Sequence, residues 1–284
     1  MIKLQSGKVR DIYQVSETEL VIVTTDRISA FDVVLPTAIE NKGIALNLLS
    51  LYWFERTKNI ISNHILSADL ADMPAFFARR PEQFKNRTVL VKKLDMLPYE
   101  FIVRGYMYGS LWTEYQNTGR ICGQSKEKPI KLAQRLEQPV ITPSVKNDTG
   151  HDENITLERL RDELGSEDAD AICDICMRLY QACYEHALKR GILIADTKFE
   201  FGRDKDGRFV LGDEICTPDS SRFWAAEDWQ EGTSPRSYDK QFVRDWLIRN
   251  GLNGVKPAPE LPREIVEITS ALYQTCYQKL TGRE

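Results

Sequence analysis

An α+β architecture in two lobes is predicted by three features of the sequence. Residues 191–222 have the pattern of a β-hairpin, residues 87–108 read as strand, proline-bearing connector and strand, and the segments 44–58, 169–190 and 262–280 carry apolar residues at helical spacing. A chain of 284 residues is long enough for one large domain or two lobes with ample core.

Taken in order, residues 4–7, 9–15 and 20–25 read as short strands joined by turns. Ser6-Gly7-Lys8-Val9-Arg10-Asp11 sets a flexible glycine beside alternating cations, a pattern suited to a loop over a polyphosphate and equally to a solvated hairpin end. Thr25-Asp26-Arg27-Ile28-Ser29-Ala30-Phe31-Asp32, followed by Pro36 and Gly43, reads as an irregular loop of the kind that carries function. The helix at 44–58 places Leu48, Leu49, Leu51, Tyr52 and Trp53 mostly in the core, and His64, in a strand after it, is expected to be structural.

The break at Leu97-Pro98 between two apolar runs suits a hinge against which a nucleotide base could lie, its edge read by backbone groups. Lys92 and Glu100 are then candidates for phosphate and ribose contact. Arg104 follows Phe101-Ile102-Val103 in an otherwise apolar strand, where a guanidinium can grip a carboxylate or phosphate bidentately. Gly105 and Gly109-Ser110 permit close backbone approach ahead of a helix starting near Leu111, and 114–138 is expected to be surface loop and strand. Thr156 is placed to cap a helix running to Leu164. Residues 234–247 read as loop then helix, with Asp239, Lys240 and Arg244 open between ligand contact and capping; the 262–280 helix has a proline near its first turn.

In the 191–222 stretch, Asp206-Gly207 suits a two-residue type I′ turn between alternating runs. Pairing Lys205 with Arg208 sets Glu200 directly opposite Asp213, and two carboxylates so placed repel unless a cation lies between them. Asp196, Lys198 and Glu200 fall on one face, and Thr197, Phe199 and Phe201 on the other. One or two carboxylates with nucleotide phosphates are what Mg²⁺ asks for. The same pattern also fits the wet side of an ordinary antiparallel sheet, and a three-residue loop would shift the register by one and separate the pair.

Composition narrows the class. A net charge of −4 and a pI near 5.6 argue against a nucleic-acid partner, and no apolar run approaches the roughly 18–20 residues that span a bilayer, so no membrane partner is expected. The N-terminus has no apolar signal region, and the scattered cysteines at 122, 173, 176, 183, 216 and 276 fit reduced thiols in the cytoplasm. Cys173 and Cys176 lack the second pair a zinc site needs and fall on the apolar stripe of the 169–190 helix. Neither a Walker A loop nor a G-x-G-x-x-G fingerprint occurs, and there are no internal repeats.

The segments GKVRDIY, TDRISAFD, VKKLDMLPYEFIVRGYMYGS, SVKNDTGHDENI, ADTKFEFG, LGDE and TPDSSRFW, in this order, resemble the phosphoribosylaminoimidazole-succinocarboxamide synthase (SAICAR synthetase) family over nearly the whole chain. One departure is Arg104-Gly105 where many members have Arg-Asn, which removes a side chain from the second position. The length, with an extended C-terminal helical part, is similar to the longer version of the family.

The resemblance implies a two-lobed α+β fold of antiparallel sheets and packed helices, related to ATP-grasp and kinase nucleotide sites, with an interlobe cleft. Residues 1–100 would form a β-rich lobe with the phosphate loop, and 101–284 an α+β lobe with the metal and substrate sites and the C-terminal helices. It implies a ligase using ATP and Mg²⁺ to join a carboxyaminoimidazole ribonucleotide to L-aspartate, in purine biosynthesis, by way of an acyl phosphate; monomer and homo-oligomer both stay open. It further implies Mg²⁺ on Glu200 and Asp213, and ATP held by Lys8, Arg10, Lys92, Met96 and Glu100. The ribonucleotide would lie on Arg104, Ser110 and Arg222, with Asp196 and Lys198 at its reacting end, and Ser29 and Asp32 would line the same cleft. Aspartate would meet Lys146, His151 and Asp152. A small-molecule kinase could use a similar cleft and stop after phosphoryl transfer.

Overall fold

The computed structural model describes residues 2–125, 129–147 and 153–283. Two antiparallel sheets organise it. The first, in the order β1-β2-β3-β7-β6, is built from β1 (Ile2–Ser6), β2 (Arg10–Gln14), β3 (Glu19–Thr24), β6 (Ile65–Ser67) and β7 (Thr88–Lys92). Its middle strand buries both faces, as period-two alternation requires: Val21 and Val23 pack with Met73 and Phe77, while Ile22 packs with Val89, Val91 and Leu51. Between β3 and β6 lie the small hairpin of β4 (Ser29–Ala30) and β5 (Val33–Val34), then helix α1 (Lys42–Thr57). Two short helices, α2 (Ala75–Ala78) and α3 (Pro81–Phe84), close the aromatic cluster of Phe76, Phe77 and Phe84 before β7.

The hairpin replaces part of the irregular loop expected at 25–43. Phe31 and Asp32 at its tip both adopt left-handed backbone (φ 52° and 58°), as a two-residue turn of this hand demands even without glycine. Ile28, Ala30, Leu35 and Ile39 hold it down by packing with Val243, Leu247, Leu261 and Ile265.

The second sheet is larger, in the order β13-β12-β9-β14-β15. It comprises β8 (Asp95–Met96), β9 (Tyr99–Tyr106), β12 (Arg135–Val145), β13 (Glu153–Asn154), β14 (Ile192–Arg203), β15 (Phe209–Gly212) and β16 (Ser221–Ala225), while β10 (Arg120–Ile121) and β11 (Gln124–Ser125) form a separate short pair. β14 is its spine, pairing with β9, β8, β15 and β16 along its length. Helix α4 (Gly109–Thr118) extends into the region expected to be surface loop, because Leu111, Ile121 and Met107 form their own apolar cluster with Trp112 and Tyr115. α5 (Leu157–Leu164) starts at Thr156, whose hydroxyl accepts from the Arg159 N–H at 3.1 Å, as the sequence predicts. The long α6 (Ser166–Lys189) lays Ile172, Cys176, Leu179, Cys183 and Ala187 on the back of the second sheet, so the cysteines are core. α7 (Gln241–Arg249) and α8 (Arg263–Thr281) complete the chain, α8 packing against α1.

The 191–222 hairpin forms, with one correction to its register. Glu200 lies opposite Gly212, not Asp213, because the loop holds three residues instead of two. Asp204 causes this: its carboxylate accepts from the N–H groups of Asp206 and Arg208, both at 3.0 Å, while Gly207 takes left-handed backbone. Asp213 then follows the end of β15 with φ 55°, a left-handed residue that breaks the strand's alternation.

Gly105 faces the helix side of the sheet. A Cβ there would lie 2.0 Å from the Tyr180 hydroxyl, which donates to the Ile194 carbonyl at 2.7 Å, so this position holds core space and not ligand space. Gly105→Ala should cost about 1–3 kcal/mol through overpacking, part of it recovered by adding Tyr180→Phe, as read from urea-unfolding midpoints. His64 is structural, as predicted. It is 3% exposed, bonds Leu211 O through Nδ1 at 3.2 Å and rests edge-on to Phe54. Burial pulls its pKa down from 6.5 to about 4, so the stability tied to its neutral form is complete above pH 6.5 and drains away as pH falls towards 4. Between pH 7 and pH 5 the protein should lose about 2 kcal/mol more than His64→Gln does, measured as the difference in unfolding free energy.

Candidate active site

The front face of β14 carries Asp196, Lys198 and Glu200, while Thr197, Phe199 and Phe201 are sealed behind it at 0% exposure. Lys198 is central. Its ammonium donates to Glu100 on β9 at 2.7 Å and also to Glu200, which Lys146 at the end of β12 engages from its other oxygen. Burial alone would strip the proton from Lys198, but Glu200, Glu100 and Asp213 together hold its pKa well above the ordinary value. Burial likewise opposes ionisation of Glu200, and Lys198 and Lys146 override it, bringing the carboxyl down to about 2.

Asp213 is the counterpart at the end of β15. Arg10, reaching over from β2, donates to Asp213 and pairs with Glu214, each at 2.6 Å. Despite that partner, burial raises the Asp213 carboxyl to about 6, with Glu200 and Glu214 adding to the rise. Arg10 and Lys198 oppose the rise without cancelling it, and an additional cation there would favour the ionised carboxylate. Glu200 and Asp213 offer hard oxygen donors of the kind Mg²⁺ takes, but they are not directly opposed across the hairpin, and Lys198, Lys146 and Arg10 engage them here. Among the described residues no group of three or more His, Cys, Asp or Glu could hold a metal alone, yet a cation carried with nucleotide phosphates needs only one or two carboxylates.

On the other side of Lys198 a cavity of about 190 Å³ opens, lined by Arg104, Ser110, Asp196, Arg222, Lys240 and Arg244 among others. Arg104 is 3% exposed and donates to Thr142 Oγ1 at 2.8 Å and Ser110 Oγ at 2.9 Å, with Asp196 at 3.4 Å. Arg222 pairs with Asp196 as well, and its buried Nε has no partner, so a ligand oxygen would satisfy it. Gly109 is needed beside it: a Cβ there would fall 2.6 Å from Arg222 Nη2. Lys240 is drawn down to about 8 by burial, with Asp219 opposing and Arg244 and Lys42 adding to the fall. Positive side chains thus outnumber acids around the cavity, which suits a multiply charged anion.

The structure brings together Arg104, Ser110, Asp196, Lys198 and Arg222 at the cavity, with Lys146, Glu100, Glu200, Asp213 and Arg10 beside them. Lys8 meets Asp32 across the hairpin tip at 2.6 Å, at the surface. Ser29 sits on β4, outside the cavity lining, and Lys92 is exposed on β7 opposite Glu19. Met96 is 39% exposed, and a Cβ at Gly202 or Gly212 would meet it at 3.1 Å, so two cross-strand glycines make the floor on which it rests. His151 and Asp152 lie outside the described residues. Of the three left open at 239–244, Asp239 is a cap, accepting from Gln241 N–H at 2.7 Å, while Lys240 and Arg244 face the cavity. Glu214, Lys42, Asp219 and Tyr273 were not singled out by sequence, and for Glu214 the signal was present in the acidic Gly212-Asp213-Glu214 run.

Comparison with known proteins gives one answer. The family model described as SAICAR synthetase matches residues 3–260. A phosphoribosylaminoimidazole-succinocarboxamide synthase of Maridesulfovibrio salexigens is 46% identical over 282 residues, covering 99% of this chain and 94% of that one. Among solved structures, the SAICAR synthase of Saccharomyces cerevisiae complexed with SAICAR superposes with a TM-score of 0.89 at 41% identity, covering 99% of this chain and 95% of the other. A SAICAR synthetase in complex with ADP superposes with a TM-score of 0.72 at 25% identity, over 99% and 98% of the two chains. The chain belongs to the SAICAR synthetase family.

Proposed function

We propose that this protein is an ATP-dependent ligase that condenses 5-amino-1-(5-phosphoribosyl)imidazole-4-carboxylate with L-aspartate, giving SAICAR, ADP and phosphate in purine biosynthesis. The observation that carries the reading is Lys198: one ammonium both lines the anion cavity and bonds the acids Glu100 and Glu200, so the two halves of the site share a residue. Family membership and the SAICAR and ADP complexes of relatives support the same substrates. The two-lobed division at residue 100, with nucleotide bound between the sheets, goes with this reading, as does a cytoplasmic location. Cys173, Cys176, Cys183, Cys216 and Cys276 form no disulfide, and no helix among the described residues is long and apolar enough to cross a membrane.

In this scheme the ribonucleotide phosphate lies on Arg104, Ser110 and Arg222, with Lys240 and Arg244 completing the charge. Its imidazole carboxylate points towards Lys198, and Asp196 fixes the two guanidinium groups between which it sits. Lys8 and Arg10 face the ATP phosphates, Lys92, Met96 and Glu100 the rest of the nucleotide, and Ser29 and Asp32 line the approach. Glu200 and Asp213 would hold Mg²⁺, which when bound neutralises phosphate charge. A carboxylate is a poor acylating group, since its leaving group would be oxide. Its oxygen therefore attacks the γ-phosphorus, a new P–O bond forms, the β–γ bridging bond breaks and ADP leaves. The aspartate amine, held near Lys146, His151 and Asp152, then attacks the acyl carbon. The C–N bond forms, inorganic phosphate departs and the amine gives up a proton. The protein's part is positioning and charge neutralisation.

With ATP, Mg²⁺ and the ribonucleotide present, phosphate release should require L-aspartate and match SAICAR formed mole for mole; aspartate-independent turnover to a stable phosphorylated product would replace this reading with a kinase. Glu200→Gln and Asp213→Asn should each lower kcat by roughly 10²–10³-fold in a coupled ADP assay, with the circular dichroism spectrum unchanged. Arg104→Ala should raise the ribonucleotide KM far more than the ATP KM, and equal effects would remove it from the phosphate site.

A further inference from the structure

In the lining of the anion cavity lies a largely buried carboxylate that the reaction scheme does not use. Asp219, with a side chain 4% exposed, sits in the turn between β15 and β16. Its Oδ2 accepts from Lys42 Nζ at 2.6 Å, and Lys42, at the start of α1, is itself wholly buried. Its Oδ1 accepts from the Tyr273 hydroxyl at 2.7 Å, and the Lys42 ammonium also lies 5.5 Å over the Tyr273 ring. The same Oδ1 is 4.0 Å from Lys240 Nζ, short of a hydrogen bond. The Tyr273 hydroxyl therefore occupies the oxygen that Lys240 would otherwise take.

We propose that Tyr273 on α8 and Lys42 on α1 are positioning residues for the anion cavity: by clamping both oxygens of Asp219 they keep the Lys240 ammonium free for a ligand phosphate and fix the turn that carries Ser220 and Ser221. The turn has reason to be held. Ser220 O accepts from Lys198 N–H at 2.9 Å, and Ser221 Oγ donates to Thr197 at 2.8 Å, so a shift at Asp219 passes directly to the strand bearing the site. Removing the Tyr273 hydroxyl takes a donor from Oδ1, and the Lys240 ammonium, 4.0 Å away, is placed to move in. Once Lys240 pairs with Asp219, the cavity loses a cation.

This rests on the reading of the cavity as the ribonucleotide phosphate site, and the experiment separates the two. Four full-length proteins are compared: the unaltered chain, Tyr273→Phe, Lys240→Met and the double variant. Each is assayed for the KM of ribonucleotide and of ATP, for kcat, for competitive inhibition by ribose 5-phosphate, and for its thermal midpoint. Tyr273→Phe should raise the ribonucleotide KM and the inhibition constant by roughly five-fold, about the net worth of one ordinary hydrogen bond, with the ATP KM unmoved. Lys240→Met should raise both further, and adding Tyr273→Phe to it should change nothing more. If Lys240→Met leaves the ribonucleotide KM and the inhibition constant alone, the phosphate site is misplaced. If Lys240→Met has its effect but Tyr273→Phe either does nothing, moves the ATP KM equally, lowers only the thermal midpoint, or multiplies the double variant by its full factor, the clamp is wrong and the phosphate site stands. Lys42→Arg, which keeps the charge, should bind ribose 5-phosphate more tightly than Lys42→Met when both fold; equal binding in the two overturns the part assigned to Lys42.

Discussion

Lys198 keeping its proton is the condition on which the front of the second sheet depends. Its side chain is three-quarters buried, and a lone ammonium so placed would shed its charge. Glu100 and Glu200 prevent this and are in turn prevented from repelling one another. Removing any one of the three leaves a poorly compensated charge in a dry place, which costs more than the lost contact itself. The same ammonium faces the anion cavity, so the charge balance that stabilises the sheet also conditions ligand binding.

The segment from Leu211 to Asp219 joins the two halves of the molecule through charges and backbone together. Leu211 exchanges hydrogen bonds with Ser62 and His64, Ile215 N–H donates to Ser50, Arg10 grips Asp213 and Glu214, and Lys42 grips Asp219. These five partners all come from the first 64 residues of the chain, and Tyr273 of α8 adds a further donor to Asp219. An acidic connection between β15 and β16 is thus held by donors from the first sheet and α1, and the carboxylates of the site are aimed by residues distant in sequence.

How much of this was readable beforehand depends on the range of the interaction. Period-two alternation placed Asp196, Lys198 and Glu200 on one face and the phenylalanines on the other, because successive strand side chains point to opposite sides and the apolar set goes to the core. Helical spacing likewise put Cys176 and Cys183 in the core. The register of the hairpin was missed because Asp206-Gly207 obeys a local turn preference, while the side chain of Asp204 captures the next residues and lengthens the loop. The clamp on Asp219 had no local signature: its partners lie 177 and 54 residues away, and nothing about an isolated Lys42 or Tyr273 marks it. Gly105 looked like a missing ligand contact, and only the position of Tyr180 reveals it as room for a ring.

One feature of β14 reaches beyond any single contact. Asp196, Lys198 and Glu200 occupy alternate positions of a continuous strand, so neighbouring groups are spaced by about 7 Å of covalent backbone. The distance between the guanidinium end and the carboxylate end is therefore a ruler with fixed graduations. Side-chain exchange can change what stands at each mark but not the interval, and inserting or deleting one residue would turn every later mark to the wrong side of the sheet. Divergence of substrate preference on this scaffold has to proceed by altering the walls opposite the ruler.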